Sequence, residues 1–496
     1  MTLHNKEKKP PYLVIAILFF GAFVSFLNNS LLNVALPTIM KDFEIEYSTV
    51  QWLATGYMLV SGVLIPVSAF LITRFKNRHL FITAMSLFTI GTALAAYAPN
   101  FGILLAGRMF QAAGGSVMGP LLMNIMLVSF PREKRGAAMG VFGLVMITAP
   151  AIGPTLSGYI VEYWNWRLLF EMILPFAILS LVLAVWKLEN ILETRETSID
   201  YLSIALSIIG FGGLLYGCST SSSDGWSDPK VLTTLIVGAI GVILFVVRQF
   251  HLEQPLLDLR VYKYPMFALG NIISMVVMAA MFSGMILTPA YVQSVRGISP
   301  LDSGLIMLPG ALVMGIMSPI TGKLFDKFGP RVLALIGLAI TGYATYLLST
   351  MDLETTKTTI VLMYTLRMFG MSMVMMPIMT NGLNQLPNRL NPHGTAVNNT
   401  IQQVVGSIGT ALFVTLMNSV ATNKGEELVE AAKASNPAQL QDQMFIAGIQ
   451  QQALLEGVQV SFLVAAVVTG VALILALFLK RVDVSKGIAE NMEKNK

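Results

Sequence analysis

Leu105-Ala-Gly-Arg-Met-Phe-Gln111 sets one arginine inside an apolar run, and Leu366-Arg-Met-Phe-Gly370 does the same in the second half of the chain. Small residues and a proline follow each of them, Pro120 and Pro377. One apolar segment further back in each half, a basic connection also recurs. It reads Phe70-Leu-Ile-Thr-Arg-Phe-Lys-Asn-Arg78 the first time and Lys323-Leu-Phe-Asp-Lys-Phe-Gly-Pro-Arg331 the second. Parallel halves of this kind mark membrane carriers that rock two bundles about a site near the midplane.

Composition agrees. Of 496 residues, 55% are hydrophobic and 12% charged, with a mean hydropathy of +0.69. A soluble chain carries about 25% charged residues, so a soluble enzyme is excluded. One cysteine, Cys218, excludes a disulfide framework or thiolate cluster. His4, His79, His251 and His393 are scattered, with no paired metal-binding spacing. No phosphate-binding glycine loop occurs; Gly114-Gly-Ser116 is a small-residue cluster in a membrane helix. No metal, cofactor, nucleotide or nucleic-acid partner is therefore expected.

A bilayer core needs about 20 apolar residues per helix. Fourteen runs qualify, near 12–36, 50–72, 80–98, 101–123, 137–161, 167–188, 200–218, 230–250, 266–292, 301–322, 331–350, 359–383, 396–421 and 458–479. The first continues through Asn28, Asn33 and Pro37 without a small-residue cleavage site, as a retained span does. Seven basic residues fall on one set of connections: Lys41, Arg167, Lys230, Arg296, Lys357, Lys424 and Lys433. Arg108 and Arg367 lie in spans, and the rest of the 32 lie on the other set, a bias of about threefold that places both termini in the cytoplasm. The expected organisation is a cytoplasmic N-terminus (1–11), a six-helix bundle (12–188), a two-helix insertion (189–265), a second bundle (266–479) with an extracellular loop at 422–457, and a cytoplasmic tail (480–496).

Further motifs stand in fixed order: Leu27-Asn-Asn-Ser-Leu-Leu-Asn-Val-Ala-Leu-Pro37, the arginine motif at 105–111, Ala149-Pro-Ala-Ile-Gly-Pro-Thr-Leu-Ser-Gly158, Trp166-Arg167, and Pro255-Leu-Leu-Asp-Leu-Arg260. On these motifs the chain resembles the major facilitator superfamily, specifically its fourteen-helix drug:proton antiporters of the EmrB/QacA type. The resemblance covers nearly the whole chain. It implies an all-α membrane fold of two six-helix bundles plus two inserted helices in a bacterial inner membrane. It also implies alternating access, amphipathic small-molecule substrates, protons as the exchanged ion, contact with membrane lipids and a monomer. Several positions depart from the family pattern. Asn28 replaces a first-helix acid, and Ala69, Thr73 and Lys76 replace Gly, Asp and Gly in the first basic connection. Glu171 and Ile173 stand where an apolar or aromatic residue and Asn are usual. The profile is closer to lincosamide exporters than to quaternary-ammonium exporters.

The residues divide into four groups, each with two open readings. Arg108, Arg367 and Glu171 are either proton-coupling groups or, for the arginines, packing anchors and, for Glu171, a side chain that snorkels to the outer surface or pairs with Arg167 at i,i+4. Asn28, Asn33, Gln111, Asn124, Asn271, Met275, Met278, Met371, Met375 and Gln402 line a polyspecific cavity, or the methionines are lipid-facing or core stripes. Gly140, Gly143, Pro150, Gly153, Pro154 and Gly158 form a gating hinge, or ordinary small-residue packing. Arg74, Arg78, Asp326, Lys327 and Arg331 form a cytoplasmic latch, or a solvated charge cluster. The functional expectation is proton-driven multidrug efflux; a lipid flippase of the same fold and an uncoupled facilitator are the alternatives. Topology is directly testable: in a Cys218→Ala background, cysteines placed at Thr2 or Ser485 should resist an impermeant maleimide in intact cells and react after permeabilisation. Outside labelling of one tail alone would break the even-span arrangement, and of both would reverse its orientation.

Overall fold

Inside hydrocarbon a chain must satisfy its own backbone hydrogen bonds, which leaves helices as the economical solution for apolar runs of this length. The computed structural model describes residues 11–195, 199–435 and 442–482, and within them fourteen helices are long and apolar enough to cross a membrane. The first bundle comprises α1 (Tyr12–Asp42), α2 (Trp52–Arg74), α3 (Asn77–Ala96), α4 (Phe101–Ser129), α5 (Arg135–Tyr163) and α6 (Leu168–Lys187). An inserted hairpin follows, α7 (Tyr201–Asp224) and α8 (Pro229–His251). The second bundle comprises α9 (Pro265–Pro289), α10 (Pro300–Phe328), α11 (Pro330–Ser349), α12a (Lys357–Ser372) with α12b (Met375–Gln385), α13 (Asn391–Ser435) and α14 (Gln443–Ala476). Local chemistry sets several starts. The Asn100 side chain accepts from Ile103 N at 3.0 Å ahead of α4, and Ser299 accepts from Asp302 N at 3.1 Å ahead of α10.

Helix pairings in the first bundle recur in the second. α1 packs on α5 and α6, α3 on α4 and α6, and α2 on α4; likewise α9 packs on α13 and α14, α11 on α12a and α14, and α10 on α12a. Glycines make the matched contacts close. A Cβ on Gly91 would lie 2.5 Å from the Gly107 carbonyl across α3–α4, and one on Gly337 would lie 2.7 Å from the Gly370 carbonyl across α11–α12a. Tyr12 and Arg481 share one face, here the tail face: Tyr12 packs its ring on Phe130 at 6.5 Å, while Arg481 bonds the Asp326 carbonyl at the end of α10.

The inserted hairpin covers one of the two seams between the bundles. Thr55 and Ser219 hydroxyls meet at 3.0 Å, and Trp52 stacks on Tyr216 at 5.6 Å, tying α2 to α7. Trp226 Nε1 donates to Thr415 Oγ1 of α13 at 2.6 Å. The expected loop at 422–457 is corrected: its described residues mostly extend α13 and α14, because alanine- and glutamate-rich sequence favours helix and Lys424 pairs with Glu427 and Glu456 at 3.1 and 3.5 Å.

At the tail face Arg248 donates twice to Asp200, both at 2.8 Å, and Ser203 Oγ donates to it at 2.6 Å. The Arg248 bonds hold the Asp200 carboxyl down at about 2, below its ordinary value of about 3.9. Stabilisation from this pair is therefore full above about pH 4 and lost as pH falls through 2. In detergent melts Asp200→Asn should be less stable than wild type at pH 7, with the gap closing as pH approaches 2. A pH-independent gap would show that the ion pair contributes nothing.

Candidate functional site

The first N–H groups of a helix have no partner within it and carry a partial positive charge. At the start of α5, Gly136 N and Ala137 N donate to the two carboxylate oxygens of Asp326, each at 3.0 Å. Asp326 lies at the end of α10, so this cap joins the two bundles. Beside it the backbones nearly touch: a Cβ on Gly136 would lie 2.5 Å from the Gly322 carbonyl, and one on Gly140 would lie 2.5 Å from the Ser318 carbonyl. A Cβ on Gly143 would overlap the Ser318 hydroxyl. Toward the far face the contact loosens, a Cβ on Gly304 lying 3.4 Å from Thr155 Oγ1, and the two helices flank a surface groove. Ile152, Thr155, Leu156 and Tyr159 of α5 face Leu301, Leu305, Leu308 and Leu312 of α10 across an apolar groove of about 500 Å³.

The remaining expected hinge positions differ in role. Gly153 abuts Ser30 of α1, within its own bundle, and Gly158 meets only Leu301, at 3.3 Å. α5 stays a single helix through the half-buried Pro150 and Pro154, each of which removes one backbone donor. Of the expected latch, Asp326 crosses the seam. Arg78 donates to Val185 O at 2.6 Å within the first bundle, Arg74 ends α2, and Lys327 and Arg331 are exposed. Three other basic residues also bind at this end. Arg135 donates to Asn384 Oδ1 at 3.2 Å, Arg132 to Leu386 O at 3.4 Å, and Arg481 to Asp326 O at 2.7 Å. In the sequence they register only as orienting charge.

Arg108 and Arg367 are fully buried, with 0% exposure. Arg108 donates to Gln111 Oε1 at 2.8 Å, Asn29 Oδ1 at 3.4 Å and Leu53 O at 3.5 Å, and its guanidinium lies 4.4 Å from the Tyr57 ring centroid. Gln111 Nε2 passes the network to Thr92 Oγ1 at 2.9 Å. Arg367 donates to Thr345 Oγ1 at 3.1 Å and to Ala280 O, while its Nη1 has no hydrogen-bond partner. Gly284 leaves the space this guanidinium occupies. Every one of these partners is uncharged; carbonyls, amides, hydroxyls and a π-face spread the charge.

Glu171 takes the surface-reaching alternative. It is exposed in the first turn of α6, beside a surface groove of about 480 Å³ lined by Tyr97, Leu174, Pro175, Ile178, Leu179 and Val182. Arg167 binds Asp42 at 2.7 Å instead, and Trp166 Nε1 donates to the same carboxylate at 3.0 Å. α6 thus turns this residue away from the first bundle's interior.

Asn28 is buried with both amide atoms unpartnered, and Asn124 Oδ1 and Asn271 Oδ1 are also unpartnered. Such groups are costly to leave unmet, which suits positions completed by a solute. The Asn33 side chain lies outside the described residues. Gln402 is half-buried and points Nε2 at Met379 Sδ, 4.0 Å away, and Asn398 Nδ2 reaches the same sulfur at 2.8 Å. The methionines of the twelfth span divide. Met368 and Met371 are buried among Ile273, Val277 and Met314 in the second bundle's core, and the helix breaks at Met373–Val374, so half-buried Met375 begins a new segment. Met373 N and Val374 N bond three residues back, at 3.1 Å each, ahead of Pro377. On α9, Met278 is buried whereas Met275 is 38% exposed.

Comparison with known proteins agrees with this architecture. The family model described as Major Facilitator Superfamily matches residues 18–410. The chain is 48% identical to a Bacillus subtilis protein described as "Uncharacterized MFS-type transporter YhcA", over 87% of this chain and 81% of that one. It is 44% identical to the B. subtilis lincomycin resistance protein LmrB, over 97% of this chain and 98% of the relative. Among solved structures, the human organic anion transporter MFSD10 superposes with a TM-score of 0.65 at 13% identity, covering 94% of this chain and 100% of that one, a likeness of fold alone. Paired bundles, fourteen spans and a family match over most of the chain identify it as a member of the major facilitator superfamily, a multi-pass transporter of the bacterial inner membrane and not an enzyme.

Proposed function

We propose that this protein exports amphipathic small molecules, antibiotics among them, in exchange for protons by alternating access. One observation carries the reading: α10 caps α5 and the two backbones touch at the tail face, while toward the far face their contact loosens beside an apolar groove. A carrier that is closed to one side and opening to the other has this asymmetry. With the tail face cytoplasmic, as the distribution of basic residues suggests, the arrangement is an outward-directed state. Residues 12–188 and 266–479 then move as the two bodies, with 189–265 riding on the covered seam. Asp326 is the latch, and Gly136, Gly140 and Gly143 with Gly322 are the surface that must part. Arg108 and Arg367 anchor the two bundle interiors near the solute path, where Asn28, Asn124 and Asn271 offer unpartnered polar groups. A relative described as a lincomycin resistance protein, matched end to end, supports drug export.

An uncoupled facilitator is the second reading, favoured by a specific observation: among the described residues no carboxylate is buried where it could carry a proton. Proteoliposomes separate the two. An imposed pH gradient should drive lincomycin uphill, and lincomycin should in turn dissipate the gradient; equilibration without accumulation would establish the facilitator.

Asp326→Ala deletes two hydrogen bonds to an ionised acceptor, each contributing about 1.5 kcal/mol or more. Against a Cys218→Ala background, a cysteine at Ser318 in the seam should then react with a thiol reagent roughly a hundredfold faster, with export reduced. Unchanged labelling would remove Asp326 from the latch.

A further inference from the structure

Buried charge in this molecule has one sign. Among the described residues Arg108, Arg135 and Arg367 are buried, and no aspartate or glutamate is. Most carboxylates on the spanning helices sit near helix ends, and Glu456, well inside α14, is half-buried and paired with Lys424. Asp42 is engaged by Arg167, Asp302 by Lys357, and Asp326 by the start of α5; Glu162 and Glu171 are exposed. The two fully buried guanidiniums meet only neutral partners, so none of their charge is cancelled locally. In a low-dielectric interior such fields are weakly screened. A solute crossing between the bundles therefore meets a positive potential with no carboxylate to receive a cation. Two donors also lack an acceptor: Arg367 Nη1 and the Asn28 amide nitrogen are buried without partners.

We infer that the pathway selects by charge, taking neutral amphiphiles and those bearing a carboxylate while excluding permanent cations, with Arg108 and Arg367 as the specificity-determining charges. This rests on the export reading above and names its substrate class. Carbonyl, ether and carboxylate oxygens satisfy the open donors. A quaternary ammonium group can satisfy none of them and pays repulsion from both arginines.

The test uses the full-length protein in proteoliposomes with three fluorescent amphiphiles that share one apolar body and end in a carboxamide, a carboxylate or a quaternary ammonium. Lincomycin serves as the control solute. Wild type should move the carboxamide and carboxylate at comparable initial rates and the ammonium probe roughly tenfold more slowly or worse. Asn28→Asp places a carboxylate one residue from the Asn29 contact with Arg108. It should raise the ammonium-to-carboxamide rate ratio roughly tenfold, a ratio that loss of folded protein leaves unaltered. Arg367→Gln should raise the same ratio and serves if the first variant does not fold. An ammonium probe moved by wild type as fast as the carboxamide overturns the charge rule while leaving export intact. So does retention of all three probes by vesicles that export lincomycin. Retention of lincomycin and all probes together overturns the export reading itself.

Discussion

The molecule depends on two peptide backbones meeting without side chains between them. Gly136 on α5 and Gly322 on α10 approach so closely that a Cβ on either would collide with the other's carbonyl. In a bilayer, helices gain little from burying apolar surface against each other, since lipid tails are equally apolar; close packing and hydrogen bonds must supply the attraction. Dispersion falls steeply with distance, so a seam held this way is strong when shut and weak once parted. Asp326 adds the directional component, two charge-assisted bonds to donors that α5 cannot satisfy itself. Contact of this kind is suited to two discrete states.

The two seams between the bundles are unequal, and the inserted hairpin is the reason. α7 lies on α2 and reaches α13 through Trp226, so that side is covered by protein. The α5–α10 side has no such cover among the described residues, and its far end opens as a groove walled by leucines, isoleucine and tyrosine. An internal duplication would otherwise produce two matching edges. Inserting a hairpin between the copies leaves one edge against protein and the other against lipid, without altering the recurrent pairings inside either bundle.

Span number, helical class and the duplication were legible because they rest on hydropathy, length and local motif, quantities a linear reading contains. What it does not contain is azimuth. Position along α6 says nothing about which way the Glu171 side chain turns, and nearly every residue around that helix is apolar. Arg167 finds Asp42 from a distant helix, a pairing with no local signature. Pro120 and Pro377 look equivalent in sequence, yet α4 continues through the first whereas α12 breaks just before the second. A proline removes one donor in both cases; whether the helix then parts is decided by the packing around it. Arg481 was read as one positive charge in a tail, because its register against Asp326 exists only after α14 has docked.

Arg108 and Arg367 show how far the two halves have diverged while keeping one element. Both are fully buried, and both are linked to a threonine of the preceding helix, through Gln111 to Thr92 in one case and directly to Thr345 in the other. The first is enclosed by side-chain amides, a carbonyl and the face of Tyr57. The second has Gly370 where the first has Gln111, and retains one nitrogen without a partner. A glycine at that position lets α11 and α12a close up, since a Cβ there would lie 2.7 Å from the Gly337 carbonyl. The helix contact is equally close in both halves, so the second half has lost a hydrogen-bonding side chain without closing further, and the cost falls on its guanidinium. A buried donor left open in this way is the more responsive of the two, because any acceptor brought within reach changes its energy, whereas the enclosed arginine has already been satisfied by its own bundle.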